Sequence, residues 1–292
     1  MAGVPTCPAG STPSGTECLS PGWRVVTSNT TATLNNIWGS SASDIWAVGA
    51  EGTIMHYDGS AWSPSPSNTT NHFYGVWGRS SADVWVVGRN GTVMRNTGGG
   101  WVSKGTADPN SLDGIWGAPG GDEVWVAGTS GTLRRFKGVW MDASSPTSNG
   151  LYGVWGSSAS DIWAVGRLNT IVHYDGTAWA KSSTGANHLY GVWGSSLSNV
   201  WSVGALGTIL RFNGSAWTRD AAVTTNNLLS VWGSSSSDVW AVGDAGTILR
   251  FNGSSWVQSA SNSTLKLNDV WGSSASNIWA VGDGGTILHY SL

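Results

Sequence analysis

The chain has 292 residues, of which 40% are hydrophobic and 11% charged, and its net charge is −3. Nucleic-acid binding would need a basic stripe, and the longest basic run here is Arg134-Arg135, so this class of partner is excluded. No stretch approaches the roughly 18 consecutive apolar residues of a membrane span, so membrane insertion is not expected.

Residues 1–21 form an N-terminal segment that contains both cysteines of the chain, Cys7 and Cys18. Proline and glycine turns between them favour a small disulfide loop, and two free thiols in a tail are the alternative. A metal site would need two further ligands nearby, and the segment has none. The segment also lacks the apolar core of a signal peptide. We therefore expect a mature form whose export signal was removed, in a secreted or cell-surface location.

Residues 22–292 are a tandem repeat with units that begin near residues 34, 73, 112, 151, 189, 228 and 267. Each of the first six units carries three tryptophans on predicted strands and the seventh carries two, the first in a Val-Trp-Gly-Ser-Ser motif or a close variant, and Trp23 precedes the first unit. Large aromatic side chains at fixed strand positions indicate packing between units, and stacking platforms for a ligand are the alternative. The motif tryptophans are Trp38, Trp77, Trp116, Trp155, Trp193, Trp232 and Trp271.

Each unit reads as four short strands joined by tight turns. In the first unit the strands lie near residues 34–38, 45–48 and 53–57, and the fourth carries Trp62. No window shows the 3.6-residue apolar period of a helix. Four antiparallel strands in a unit of this length are typical of a propeller blade. The sequence therefore predicts an all-β, seven-bladed β-propeller.

The two ends of the repeat predict how the ring closes. The last unit stops after its third strand, at residues 286–292, and residues 22–28, which contain the strand Gly22–Val26, precede the first unit as a spare outer strand. Pairing of these two pieces would complete blade seven and remove an exposed sheet edge.

Neither catalysis nor a cofactor is expected. A glycosidase needs two carboxylates that flank the bond, whereas most acids here lie in repeat turns, where aspartates such as Asp44 should bond nearby backbone amides. One such carboxylate per turn is too few for calcium. No Ser-His-Asp or Cys-His arrangement is present. The recurring arginines share one third-strand position in separate blades rather than a cluster: Arg95, Arg134, Arg211 and Arg250.

The repeat resembles two propeller families. The stretch from Ile162-Trp163-Ala164-Val165-Gly166 to Trp179 looks like a tectonin-type repeat of sugar-binding lectins, and residues 279–287 are similar to BNR-type and photosystem-assembly-factor repeats. Unlike the Asp-box of BNR proteins, the Asp-Gly turn here has no consistent Ser or Thr two residues before the Asp. Such Trp-Gly-Ser-Ser repeats also resemble secreted proteins of social and predatory soil bacteria.

One face of the propeller is expected to bind a ligand, because its loops vary between blades. These are the linkers between blades and the turns between second and third strands, whereas the turns of the other face are nearly invariant. Neutral hydrogen-bonding groups beside aromatic rings suit a neutral sugar, and repeated weak sites gain avidity. The first hypothesis is therefore a multivalent lectin that binds neutral glycans through Asn71, His72, Tyr74, Asn149, Tyr152, Asn187, His188 and Tyr190.

The alternative hypothesis is a protein-interaction scaffold or surface adhesin that uses one face of the ring, with a cell-surface protein as partner. It predicts an apolar or charged patch across several blades, which the sequence does not display as a concentrated run. In a third interpretation the candidate tyrosines only line the inner strands and the linkers are solvated turns.

Overall fold

The computed structural model describes residues 12–14, 17–19, 21–105, 108–118, 120–183 and 187–291. Within these residues, seven four-stranded antiparallel sheets follow one another in a ring, as predicted, and no α-helix is present. A short hairpin pairs Thr12–Ser14 with Glu17–Leu19 before the ring. Cys7 lies outside the described residues, so the disulfide stays a prediction.

The sheets are blades 1 to 7 in chain order, and the strands of each blade are called inner, second, third and outer from the axis outward. The inner strands are Leu34–Ser41, Phe73–Ser80, Leu112–Gly117, Leu151–Ser158, Leu189–Ser196, Leu228–Ser235 and Leu267–Ser274. The second strands are Asp44–Gly49, Asp83–Gly88, Val124–Gly128, Asp161–Gly166, Asn199–Gly204, Asp238–Gly243 and Asn277–Gly282.

The outer half of each blade is shorter. The third strands are Ile54–Tyr57, Val93–Asn96, Leu133–Lys137, Thr170–Tyr174, Thr208–Phe212, Ile248–Phe251 and Ile287–Ser291. The outer strands of blades 1 to 6 are Trp62–Pro64, Trp101–Ser103, Val139–Asp142, Trp179–Ser183, Trp217–Arg219 and Trp256–Gln258, and that of blade 7 is Gly22–Val26. One 3-10 turn joins each second strand to its third strand: Ala50–Gly52, Arg89–Gly91, Thr129–Gly131, Arg167–Asn169, Ala205–Gly207, Asp244–Gly246 and Asp283–Gly285.

The Trp-Gly motif locks each inner strand to the next. The ring of Trp38 in blade 1 lies on Gly78 of blade 2 so closely that a Cβ at residue 78 would lie 2.4 Å from a ring atom. The same contact repeats around the ring, and Trp271 of blade 7 lies on Gly39 of blade 1. The predicted role of these tryptophans in packing is therefore confirmed, and the glycine is needed because any side chain would collide with the indole.

The aspartates at the start of the second strands bond side chains rather than the backbone amides that the sequence suggested. Asp44 accepts a hydrogen bond from the hydroxyl of Ser40 at 2.5 Å, and its other oxygen lies 2.7 Å from Nε2 of His56. His56 in turn stacks on Trp46, with ring centroids 4.0 Å apart. An arginine replaces the histidine in some blades; in blade 3 it is Arg135, not Arg134, because the turn before the second strand is one residue longer there.

The predicted closure of the ring is confirmed. Gly22–Val26 pairs antiparallel with Ile287–Ser291, so that Trp23 lies opposite Tyr290 and Arg24 opposite His289. Trp23 is 3% exposed and its ring meets Trp240 of blade 6 edge-on, with centroids 5.6 Å apart. The guanidinium of Arg24 donates to Oγ of Ser291 at 2.7 Å.

Candidate binding site at the channel mouth

The variable loops lie together on one face of the ring. The linkers between blades and the 3-10 turns are at the same end of the strands, because each blade is an up-and-down antiparallel sheet. This surface is called the mouth face below, since the inner strands start there and surround the axis. A cavity of about 210 Å³ occupies the axis, lined by residues of the inner strands of all seven blades.

A β-bulge near the start of each inner strand shapes this cavity. In blade 1 the register with the second strand shifts between Leu34 and Asn36, which leaves Asn35 outside the regular ladder. Such a bulge bends the strand and re-aims one side chain. Register shifts occur at the same place in the other six blades. The seven bulged residues line the cavity and are called the bulge ring: Asn35, Tyr74, Asp113, Tyr152, Tyr190, Leu229 and Asn268.

The residue after the bulge divides the channel into two halves. Blades 2 to 5 have glycine there, and a Cβ on Gly75 or Gly153 would lie 3.0 Å from atoms of the following blade. Blades 6, 7 and 1 have Ser230, Asp269 and Asn36, which bond the next blade instead. Asn36 Oδ1 accepts from the amide of Val76 at 2.8 Å, so these polar side chains are part of the ring's internal bonding.

Asp269 is the centre of that polar half. It is buried, and its oxygens accept hydrogen bonds from Asn36 Nδ2 at 2.7 Å, the amide of Ile37 at 2.8 Å, and the hydroxyl of Ser230. Burial raises the pKa of the carboxyl to about 7, against the opposing effect of these donors. Every oxygen of Asp269 is thus occupied by the protein itself.

Asp113 is the contrasting carboxyl on the other side of the channel. Its Oδ2 is closed off from solvent and accepts no hydrogen bond from any described residue. Burial alone raises its pKa to about 7. A carboxyl oxygen that is buried without a partner is costly when the group is ionised, and a group that is both perturbed and located in a cavity is a candidate for binding.

Two tyrosines of the bulge ring flank Asp113, and a third lies one blade further along. Tyr74 precedes Asp113 by one blade and Tyr152 follows by one blade, and the rings of Tyr152 and Tyr190 are tilted 39° with centroids 5.7 Å apart. Burial raises the pKa of all three, and the charge of Asp113 adds to the rise for Tyr74 and Tyr152. The positive charge of Arg89 lowers the pKa of Tyr74, and that of Arg167 lowers the pKa of Tyr152, so both arginines lie at the rim beside these tyrosines.

The asparagines proposed from the sequence hold the linkers in place. In blade 2, Nδ2 of Asn71 donates to Oγ1 of Thr92 at 2.8 Å, and the equivalent distances for Asn149 to Thr170 and Asn187 to Thr208 are both 2.9 Å. Asn226, which was not proposed, makes the same bond in blade 6. Each amide is therefore engaged within its own blade.

The proposed histidines connect neighbouring blades. Nδ1 of His188 accepts a hydrogen bond from the amide of Leu168 at 3.0 Å, and Nδ1 of His72 accepts one from Glu51 at 3.4 Å. In the same way, Oδ1 of Asn227 accepts a hydrogen bond from the amide of Leu206 at 3.0 Å. The donors are the middle residues of 3-10 turns, so the linker of each of these blades supports the turn of the blade before it.

The middle residue of each 3-10 turn has left-handed backbone geometry, which favours glycine or asparagine. Two blades nevertheless have leucine there: Leu168 at φ 51° and Leu206 at φ 54°. Both side chains are 61% exposed. They lie in adjacent blades, on the mouth face, and in the same blades as Tyr152 and Tyr190. This group of four side chains is called the leucine–tyrosine sector.

Sequence reasoning missed Asp113, Leu168 and Leu206. A signal for each exists in the aligned units. Asp113 stands where other units have Tyr, Asn or Leu, and the two leucines stand where Gly284 and Asn90 are found. Of the eight proposed residues, the structure brings Tyr152 next to Tyr190 and places His188 6.4 Å from Tyr190 by ring centroids.

Other kinds of site find no support in the part of the chain that the structure describes. There, no three His, Cys, Asp or Glu side chains come close enough together to hold a metal ion. In the same residues, no helix is long and apolar enough to cross a bilayer.

No family model matches the chain, and no curated protein matches it. Solved structures do. A structure of YCF48 bound to D1 peptide is 19% identical with a TM-score of 0.77, over 92% of this chain and 97% of that one. YCF48 from Cyanidioschyzon merolae is 16% identical with a TM-score of 0.75, over 92% and 99%. The WD40 repeats of RRP9 are 10% identical with a TM-score of 0.79, over 93% and 98%.

At these identities the likeness shows the fold alone, a seven-bladed propeller with WD40-like neighbours. These structures do not assign the chain to the tectonin-type or the BNR-type family.

Proposed function

We propose that this chain is a protein-interaction propeller that binds a peptide segment of its partner across the mouth face, in the leucine–tyrosine sector. The observation that carries the proposal is the pair Leu168 and Leu206. A leucine in left-handed backbone costs about 1–2 kcal/mol relative to the ordinary regions, and burial does not offset this cost, because both side chains face solvent. Every blade needs this turn geometry, but a large, exposed apolar side chain at the strained position occurs only in blades 4 and 5, and strained residues cluster at binding sites.

The sector has the composition of a peptide-binding surface. Two exposed leucines on the same face and in the same blades as two channel tyrosines offer apolar area together with hydroxyl groups, and aromatic residues are enriched where binding energy concentrates. Among the other exposed large aliphatic side chains of the described residues, Leu197 lies on a turn of the opposite face and Val139 on an outer strand, whereas Val223 and Leu265 lie on linkers of the mouth face. One similar propeller is described as bound to a peptide, which supports a protein partner for this fold.

The test uses a library of random peptides displayed on phage and selected on the intact chain. The double variant Leu168→Gly/Leu206→Gly removes both side chains and relieves the backbone strain, so it should fold at least as stably as the parent. Selected peptides should lose about tenfold or more in affinity, equivalent to about 1.4 kcal/mol, as measured by fluorescence anisotropy.

Ala245→Gly is the matched control, because Ala245 has the same backbone conformation in blade 6, at φ 53°, and lies outside the sector. It should gain stability and retain affinity. Selected peptides that bind the double variant as well as the parent would show that the sector is not the binding surface.

A lectin is the second candidate, supported by the neutral hydroxyls and rings of Tyr74, Tyr152 and Tyr190 at the cavity. The amides of Asn71, Asn149 and Asn187 count against it, because each is already used to hold a linker. A screen on immobilised neutral glycans tests it: binding that Tyr152→Leu abolishes would favour the lectin over the peptide-binding propeller.

We further propose that the chain is non-catalytic and acts outside the cell or at the cell surface. A binding role needs no reacting group, and the carboxyls of the channel lie on opposite sides of it, one of them fully occupied by hydrogen bonds. The low content of charged residues and the predicted Cys7–Cys18 disulfide favour the location. Non-reducing mass spectrometry of the native secreted protein tests that disulfide.

A further inference from the structure

Asp113 lacks the compensation that the rest of the channel supplies to its polar groups. Asn35 donates to the carbonyl of Phe73 at 2.7 Å, and Asn268 to the carbonyl of Leu34 at 2.9 Å. Asp269 accepts from three donors. The Oδ2 atom of Asp113, equally shut off from water, accepts from no described residue. Asp113 as a whole is half-buried, and a positive charge brought by another molecule would compensate the carboxylate at its buried oxygen.

The walls beside Asp113 suit an organic cation. A cation is attracted to the face of an aromatic ring by the ring's quadrupole, by about 0.5–2 kcal/mol depending on desolvation. Tyr74 and Tyr152 place two such rings in the blades on either side of Asp113, Tyr190 adds a third in the blade after Tyr152, and all three line the same cavity. The remaining members of the bulge ring, Asn35, Leu229 and Asn268, are uncharged.

The size of the cavity limits the occupant to a single side chain. Its volume of about 210 Å³ is below the roughly 300–1,000 Å³ of sites for drug-sized molecules. The rim adds a second restriction. Arg89 and Arg167 are exposed there and act on the tyrosine hydroxyls, so a second cation at the rim would be repelled. The rest of the bound segment should therefore be neutral or acidic.

We propose that the channel mouth receives the cationic end of a lysine or arginine side chain from the bound peptide, with the Asp113 carboxylate as its counter-charge and the tyrosine rings around it. This inference rests on the proposed peptide-binding function and specifies its chemistry: the leucine–tyrosine sector holds the segment, and Asp113 selects a positive residue within it.

Capped amino acids test the channel without knowledge of the partner. Nα-acetyl-lysine methylamide and Nα-acetyl-arginine methylamide should bind the intact chain at pH 8 in ligand-observed NMR titrations. Nα-acetyl-norleucine methylamide, which has a similar length and no charge, should bind about tenfold more weakly or worse, a difference of about 1.4 kcal/mol. Asp113→Asn should reduce the affinity for the lysine probe to the affinity for the norleucine probe. Tyr152→Phe, which keeps the ring, should retain binding that Tyr152→Leu loses.

Three results would overturn the inference. These are a norleucine probe that binds as tightly as the lysine probe, a glutamate probe that binds more tightly than either, and an Asp113→Asn variant with unchanged affinity for the lysine probe. If butylammonium binds as tightly as the lysine probe, the pocket is a site for free amines, and the proposal that a peptide side chain supplies the cation is wrong.

The pH dependence gives an independent readout. Binding should weaken by about tenfold or more from pH 8 to pH 5.5, because a carboxyl with a pKa near 7 becomes protonated and uncharged in that range. Asp113→Asn should remove this dependence. The other titratable or charged groups of the channel and its rim are Tyr74, Tyr152, Tyr190, Arg89, Arg167, Asp244, Asp269 and Asp283, and the neighbouring linkers carry His72 and His188.

His188→Asn is the control for the histidines, because Asn227 accepts the equivalent hydrogen bond in blade 6. A pH dependence that persists in Asp113→Asn and disappears in His188→Asn would assign it to the linker and overturn the role of Asp113.

The selected phage peptides separate this inference from the proposed function. If they bind through Leu168 and Leu206 but tolerate replacement of their lysines and arginines by norleucine, the peptide-binding function holds and the cation pocket is wrong. If no peptide depends on the leucines, the proposed function itself is wrong.

Discussion

Asp113 and Asp269 are two carboxyls of one channel that differ in the hydrogen bonds they receive. Both have a pKa raised from 3.8 to about 7 by burial. A carboxyl whose pKa is higher in the folded than in the unfolded chain contributes stability that is fully present below pH 3.8. This stability is lost as the pH rises through 7, because the unfolded chain releases the proton at a lower pH than the folded one. Above pH 7 the folded protein therefore contains an ionised Asp113 whose buried oxygen has no donor among the residues that the structure describes.

Asp113→Asn should consequently stabilise the protein at neutral and alkaline pH. The asparagine side chain does not ionise, so the free energy of unfolding of the variant should exceed that of the parent only slightly near pH 4, and by roughly 2–4 kcal/mol at pH 8. Thermal unfolding at a series of pH values measures this. Asp269→Asn is the contrasting change: it replaces an acceptor of three hydrogen bonds and should cost about 1–3 kcal/mol. A loss of stability in Asp113→Asn at pH 8 would mean that Asp113 has a structural partner.

The same residue illustrates why the site was hard to infer from the sequence. The period and the tryptophan positions recur from unit to unit, and the spare strand before the first unit matches the strand missing from the last, so these features identified the propeller and its closure. The bulge that aims Asp113 into the channel depends on the register between two strands, which residue types alone do not fix. Asn71 was proposed as a ligand because a free amide and a linker clamp look alike in sequence.

At the scale of the element, the contact between Trp38 and Gly78 joins two blades through one indole and one glycine. Gly78→Ala would place a Cβ 2.4 Å from the ring, and overpacking of this kind costs about 1–3 kcal/mol or more. We expect the midpoint of urea unfolding to fall accordingly. Gly99→Ala, in a turn where a Cβ would meet nothing within 4 Å, is the matched control and should leave the midpoint nearly unchanged. Equal effects of the two changes would contradict the packing argument.

At the scale of the whole molecule, the ring depends on a strand that no turn connects to its neighbour. Trp62 in blade 1 and Trp23 in blade 7 occupy the same position on outer strands, and both are buried. Trp62 follows a tight turn from its partner strand, whereas Trp23 reaches the third strand of blade 7 from the other end of the sequence. The side chain of Trp23 therefore contributes both packing and closure.

Trp23→Ala should destabilise the protein by about 3–5 kcal/mol, the usual cost of removing a buried tryptophan, and should also release the closing strand locally. Hydrogen exchange followed by mass spectrometry should show faster exchange in residues 22–26 and 287–291 before the rest of the ring unfolds. Trp62→Ala provides the comparison, because its outer strand stays tethered by the turn at Asp58 and Gly59. Loss of Trp62 should therefore weaken blade 1 without opening one strand selectively. If Trp23→Ala and Trp62→Ala show the same pattern of hydrogen exchange, ring closure depends on backbone pairing alone and the indole of Trp23 contributes only packing.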